Sequence, residues 1–170
     1  AEGDVILLLG ATQAELGGSE FQAIVHGVTE GRPPVLDLAT EQKLLKGVLG
    51  AIQQGLVRSA HDLSEGGLAV ALAESCISGG IGAQVNVETA LRADLALFSE
   101  SQSRILLSAA PAQVAALESY LREQDVPVTV IGRTEGTVLN IEVNGQPAVA
   151  EPVAGLKQLW EDAIPCLMQA

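Results

Sequence analysis

Ser59-Ala60-His61-Asp62-Leu63-Ser64-Glu65-Gly66-Gly67-Leu68 decides how the rest of the chain is read, because it joins a short strand or turn to a helix through paired glycines. Glycine lets the backbone approach a neighbour closely. The first turn of a helix carries N–H groups with no partner inside the helix, which favours an anion there. On the residues alone, two readings of this junction stand open. In one, Asp62 is a carboxylate ligand for Mg²⁺ that bridges nucleotide phosphates. In the other, Ser64 or Asp62 caps the helix and the glycines serve tight packing. His61 has the titration range of a general base. No nucleophile stands beside it in a recognisable arrangement, so we read it as a hydrogen-bonded structural histidine. No catalytic residue is assigned.

The helix that follows runs from Leu68 to about Cys76 and stops at Gly79-Gly80. Val85 and Val87 alternate with Gln84, Asn86 and Glu88, the pattern of a half-buried strand. Ile105-Leu106-Leu107 and Val126 to Ile131 are further strands, with Pro127 suited to an edge or to its strand's start. A helix marked by Val114, Leu117 and Leu121 begins after Pro111. Val138 to Val143 alternates, and Asn144-Gly145 signals a hairpin into Ala148-Val149. A tail helix from Pro152 to about Ala163 turns Leu156, Leu159 and Trp160 inward. Before the junction, Val5 to Leu9 is a buried strand, and Ser19 caps a short helix starting at Phe21. An amphipathic helix from Asp37 to about Val57 buries Leu45, Val48, Leu49 and Ile52. Strands and helices mix without strict βαβ alternation. The predicted class is therefore α+β: a single domain, 1–170, with a mixed β-sheet covered by helices on a face.

Ser99-Glu100-Ser101-Gln102-Ser103-Arg104 is a dense polar string between two apolar stretches. It either presents a carboxylate, an amide and hydroxyls to one polar ligand or forms an ordinary polar turn. Gly17-Gly18-Ser19 is a weak anion signal, too common to count as a phosphate loop. His26 belongs to the surface or to packing.

Composition narrows the functions. The chain has 170 residues, 48 % apolar but only 2 % aromatic, so aliphatic side chains must fill the core. A net charge of −12 repels phosphate backbones and argues against nucleic acid as a partner. Cys76 and Cys166 lack any metal-ligand spacing and are read as buried, reduced thiols, which points to the cytoplasm. No apolar run approaches the ~20 residues of a membrane span, and no secretory leader is expected. An all-apolar strand starting at Val5 suggests a chain cut from something larger.

Three segments, in order and spanning nearly the whole chain, resemble one family. Gly3-Asp4-Val5-Ile6-Leu7-Leu8-Leu9-Gly10 with Glu15-Leu16-Gly17-Gly18-Ser19-Glu20-Phe21 resembles the opening of the last domain of the phosphoribosylformylglycinamidine synthases, in the aminoimidazole ribonucleotide synthetase superfamily. His61 to Glu74 resembles their glycine-rich helix start, and Phe98 to Arg104 their Glu-Ser-Gln string. The resemblance implies the fold of the C-terminal domain of aminoimidazole ribonucleotide synthetase. It also implies an ATP-driven parent that phosphorylates the amide oxygen of formylglycinamide ribonucleotide before ammonia displaces the phosphate. Such a protein has two similar halves, each an ATP-handling domain followed by a companion domain. This chain resembles the second companion, a fragment inactive alone.

By the same resemblance Asp62 occupies a magnesium-ligand position. His61, Ser64, Glu65, Gly66, Gly67, Glu100, Ser101 and Gln102 would line a nucleotide or substrate cleft, or an auxiliary nucleotide site facing the second half. Implied cofactors are Mg²⁺ and ATP or ADP in the full-length enzyme, with none held tightly by the fragment. Implied partners are the missing ATP-handling domains, a separate glutaminase subunit and a small bridging subunit, as in the short form of the enzyme. The alternatives are a companion domain of aminoimidazole ribonucleotide synthetase or selenophosphate synthetase, a structural assembly module, and a freestanding hydrolase using His61 and Asp62. The Glu-Ser-Gln string speaks against the sister enzymes, and the missing nucleophile against the hydrolase.

Overall fold

The computed structural model describes residues 1–168, with side chains described through Ala163. Val5–Leu9 forms β1, which pairs antiparallel with β4 (Ile105–Ala109) on one side and with β5 (Val128–Thr134) on the other. β2 (Ser59–Asp62) extends the sheet beyond β4. β3 (Ala83–Val87), β6 (Val138–Val143) and β7 (Gln146–Pro152) extend it beyond β5. The order is β2-β4-β1-β5-β3-β6-β7, and the β3–β6 pair is parallel, so the sheet is mixed. The predicted Asn144-Gly145 hairpin joins β6 to β7, both residues standing at positive φ as a two-residue turn of this hand requires.

Side chains of successive strand residues point to opposite faces. Ile6 and Leu8 therefore join one core cluster, and Leu7 and Leu9 the other. A strand with no polar residue must be covered on both sides. Accordingly α2 (Gly67–Gly79), α3 (Ala93–Phe98) and α5 (Val153–Met168) share the first face, while α1 (Leu38–Gln53) and α4 (Val114–Glu123) cover β1 and β4 on the second. Helices thus lie on both faces, not on one as expected. Ala83, Val85 and Val87 of β3 and Leu139, Ile141 and Val143 of β6 face the first cluster only. α3 escaped the sequence reading because six residues are too few to display a helical period.

The face of α1 corrects an expectation. The helix begins where predicted: the Asp37 carboxylate accepts the Thr40 N–H, a bond that holds its carboxyl below the usual range. The buried residues are Leu44, Gly47, Val48 and Ala51, however, while Leu45, Leu49 and Ile52 are 53 %, 56 % and 46 % exposed. Small residues choose the inward face. A Cβ at Gly47 would stand 3.0 Å from Val126, and one at Gly50 would stand 2.0 Å from the Tyr120 hydroxyl. The helix packs too closely against α4 and its C-terminal turn for any larger side chain there.

Leu159 and Trp160 are likewise exposed; among the described side chains, α5 joins the core through Val153 and Leu156. Ser19 caps as expected: its hydroxyl accepts the Gln22 N–H and donates to Leu16 O. Cys76 is a buried free thiol whose pKa burial pushes up to about 11, so it stays protonated at neutral pH. The side chain of Cys166 lies outside the described residues. Among those residues no helix is long and apolar enough to cross a membrane.

Candidate functional site

Leu9 at the end of β1 and Asp62 at the end of β2 both pair with Ile105 at the start of β4. Three strands therefore terminate in one row. The loops leaving that row, 10–20, 63–66 and 99–104, must fold over one another.

Arg104 ties them together. It is 2 % exposed, and its guanidinium donates to Ser101 O at 2.9 Å, to Thr12 Oγ1 at 3.1 Å and to Ser99 O. Burial lowers its pKa to about 10, opposed by the nearby Glu15 and Glu100 carboxylates, and it remains a cation at neutral pH. Residues 99–101 run alongside 13–15. Ser99 Oγ accepts the Glu15 N–H at 3.2 Å, Ser101 Oγ accepts the Gln13 N–H at 3.0 Å, and the Glu100 N–H donates to Glu15 O. Ser99 and Ser101 are buried, and both hydroxyls are engaged with the backbone.

Glu100 answers the question left open at the glycine junction. Neither Asp62 nor Ser64 caps α2. Instead one oxygen of the Glu100 carboxylate accepts the Gly66 N–H at 2.9 Å and the Glu20 N–H at 3.0 Å. An anion does sit at the start of this helix, and it is the chain's own. Gly66 and Gly67 stand at φ 76° and 63°, and a Cβ on Gly67 would lie 2.5 Å from Ser99 O. The paired glycines serve a left-handed backbone and a backbone-to-backbone contact with the Glu100 string. Glu100→Ala is expected to lower the unfolding free energy by about 1–3 kcal/mol, since it strands the part-buried Gly66 N–H and gives up the bond to the exposed Glu20 N–H. Glu100→Gln should lose less, because its amide oxygen still accepts. Chemical denaturation of the three proteins checks this, and equal midpoints would refute the bridge.

The structure therefore brings Glu65, Gly66 and Gly67 together with Glu100, and places Asp62 at the same end of the sheet. Asp62, Ser64, Glu65 and Gln102 are exposed there, with the Gln102 amide donating to Glu100 O. His61 points to the opposite face of the strand from Asp62. Its Nε2 lies 3.3 Å from Glu74 of α2 and its Nδ1 2.6 Å from Asp62 O, so its ring is engaged by α2 and by its own strand. Among the described residues no group of three or more His, Cys, Asp and Glu side chains is placed to hold a metal ion. Asp62 offers one position of a hard cation's oxygen shell, and the remaining ligands would have to come from elsewhere. The rim is acidic, with Asp62, Glu65 and Glu100 and no exposed cation among the residues named, so it repels bare phosphate. Sequence reasoning named Glu100 but missed Arg104, Thr12 and Glu15. The available signal was a single arginine heading an apolar strand.

Comparison with known proteins agrees with this architecture. Residues 1–144 match the family model "AIR synthase related protein, C-terminal domain". The phosphoribosylformylglycinamidine synthase subunit PurL of Alkaliphilus metalliredigens is 48 % identical over 168 residues, covering 99 % of this chain and 23 % of that protein. Its counterpart in Moorella thermoacetica is 46 % identical, over 98 % and 23 %. The chain thus spans about a quarter of the length of the curated relatives it matches. Among solved structures, Thermotoga maritima PurL complexed with FGAR superposes with a TM-score of 0.82 at 25 % identity, over 92 % of this chain and 28 % of that one. The same Thermotoga protein has been solved complexed with ATP and with ADP, and as PurLQS. A mixed sheet with helices, the three-loop end and the match over 1–144 lead to one conclusion: this chain belongs to the family of AIR synthase related proteins and represents their C-terminal domain.

Proposed function

We propose that this chain is the last domain of a phosphoribosylformylglycinamidine synthase, the ATP-dependent ligase that converts formylglycinamide ribonucleotide to formylglycinamidine ribonucleotide. In this reading it supplies one wall of a nucleotide or substrate cleft and no catalytic residue. The observation that carries the reading is likeness along 99 % of this chain to one quarter of a synthase subunit. The acidic three-loop end suits a wall, since its carboxylates need a cation between them and any phosphate. Mg²⁺, with Asp62 as one ligand, would supply that charge when bound. Ser64, Glu65, Gly66, Gly67, Glu100, Ser101 and Gln102 build the wall, the hydrogen bonds of Glu100 and Ser101 favour a framing role for these two, and His61, turned to Glu74, stands behind it. The partners are the ATP-handling domains of the parent, a glutaminase subunit and a small bridging subunit.

A chimera tests the proposal. The quarter of the Alkaliphilus subunit that matches this chain is replaced by this chain, and turnover is measured with ATP, ammonia and formylglycinamide ribonucleotide. Activity within about tenfold of the parent, a loss under ~1.4 kcal/mol of transition-state stabilisation, is expected. The chain alone should show no substrate-dependent ATP hydrolysis. In the chimera Asp62→Asn should weaken nucleotide retention while leaving the melting temperature unchanged. A folded but silent chimera overturns the assignment, and unchanged retention removes Asp62 from it.

A further inference from the structure

α1 carries two apolar faces. One is the buried face of Leu44, Gly47, Val48 and Ala51. The other is a stripe of Leu38, Leu45, Leu49 and Ile52, between 46 % and 74 % exposed. At about 100° per residue these four fall within an arc of about 60°, a row roughly 20 Å long. Their spacings of seven, four and three are those of the contact positions of a helix that packs along another helix. An isolated exposed leucine needs no explanation, whereas an aligned row of four on one helix marks an interaction surface.

Charge identifies the occupant. The chain carries 21 acidic and 9 basic side chains. On α1, Lys43 pairs with Asp125 and Glu41 accepts the Ser103 hydroxyl, which leaves Lys46 as the helix's charge with no partner among the described residues. A second copy would bring two bodies of net charge −12 into contact. We propose that the outer stripe of α1 docks an amphipathic helix, acidic on the flank that faces Lys46, from the part of the parent synthase that this chain does not contain. The inference rests on the domain assignment under Proposed function and adds to it the surface and the chemistry of the partner element. Leucines seat in the holes of the facing helix while Lys46 meets its acidic flank.

The test uses this chain and, as probe, the Alkaliphilus subunit truncated to remove its matching quarter, mixed and followed by sedimentation velocity. The wild-type chain is expected to bind. A Leu45→Glu/Leu49→Glu variant should bind at least about tenfold more weakly, a shift of ~1.4 kcal/mol, with an unchanged melting temperature because both residues are half exposed. Lys46→Glu, a surface change that leaves the leucines intact, should also weaken binding. If the double variant is folded and binds as well as wild type, the stripe is not the docking face and the inference falls while the domain assignment stands. If Lys46→Glu binds as well or better, the acid-flanked partner is wrong. If wild type ignores the probe but self-associates through the stripe, the occupant is a second copy and the proposal is overturned. If wild type shows neither association while the chimera turns over, the proposal falls alone; if the chimera is silent too, the domain assignment falls with it.

Discussion

Leu44→Asp is expected to abolish soluble folding of this chain, whereas Leu49→Asp, on the same helix, should shift the melting temperature by no more than about 5 °C. Leu44 is 4 % exposed and packs among Leu7, Leu9, Leu107, Leu117 and Leu121. Removing its side chain would alone cost about 2–5 kcal/mol through the cavity left behind. An unpaired carboxylate in that cluster adds a desolvation penalty of several kcal/mol more. The sum approaches the ~5–15 kcal/mol that stabilises a whole domain. Leu49 is more than half exposed, and a carboxylate there remains hydrated. Thermal melts with circular dichroism separate the two proteins. An unfolded Leu49→Asp would return that residue to the core and remove the outer stripe of α1.

Arg104→Ala should cost about 3–5 kcal/mol, the range for removing one partner of a buried charged network. Its loss strands the carbonyls of Ser99 and Ser101 and leaves the Glu15 and Glu100 carboxylates without their nearby cation. Arg104→Lys should restore only part of this, because an ammonium supplies charge without a planar fork that reaches three oxygens at once. Limited proteolysis adds a local readout: the loop over 10–36 should be cut faster in Arg104→Ala even where the variant remains folded. Wild-type denaturation and proteolysis in that variant would refute the role of Arg104 as the tie between the loops.

Strands with a clear period were legible from the sequence. Val138–Val143 and Val5–Leu9 are found with the bounds read from it, and Asn144-Gly145 turns as its residue types demand. The face of α1 was not legible. Periodicity scores leucines, yet the packing is chosen by Gly47 and Gly50, whose value lies in what they lack and is visible only once Val126 and Tyr120 are beside them. The site divides in the same way. Three loops of the right composition could be named, and their convergence follows from Leu9 and Asp62 sharing Ile105 as a partner. That Glu100 would cap a helix 34 residues before it in the chain follows from tertiary structure alone. Local sequence offered Ser64 and Asp62 for that role, since capping rules read only neighbours.

The seat of β1 between β4 and β5 has a consequence for synthesis. Leu9 waits for Ile105, and Val5 waits for Arg133. At translation rates of about 5–20 residues per second, the last partner of this strand follows it by roughly 6–25 s. For that interval a five-residue uncharged segment of Val, Ile and Leu has both edges open, the composition most prone to intermolecular pairing. The hazard belongs to the nascent chain alone, since in the finished sheet both edges of that strand are paired. Production of this chain should therefore benefit from slower initiation or from a chaperone that holds extended apolar segments, more than from any change to its surface.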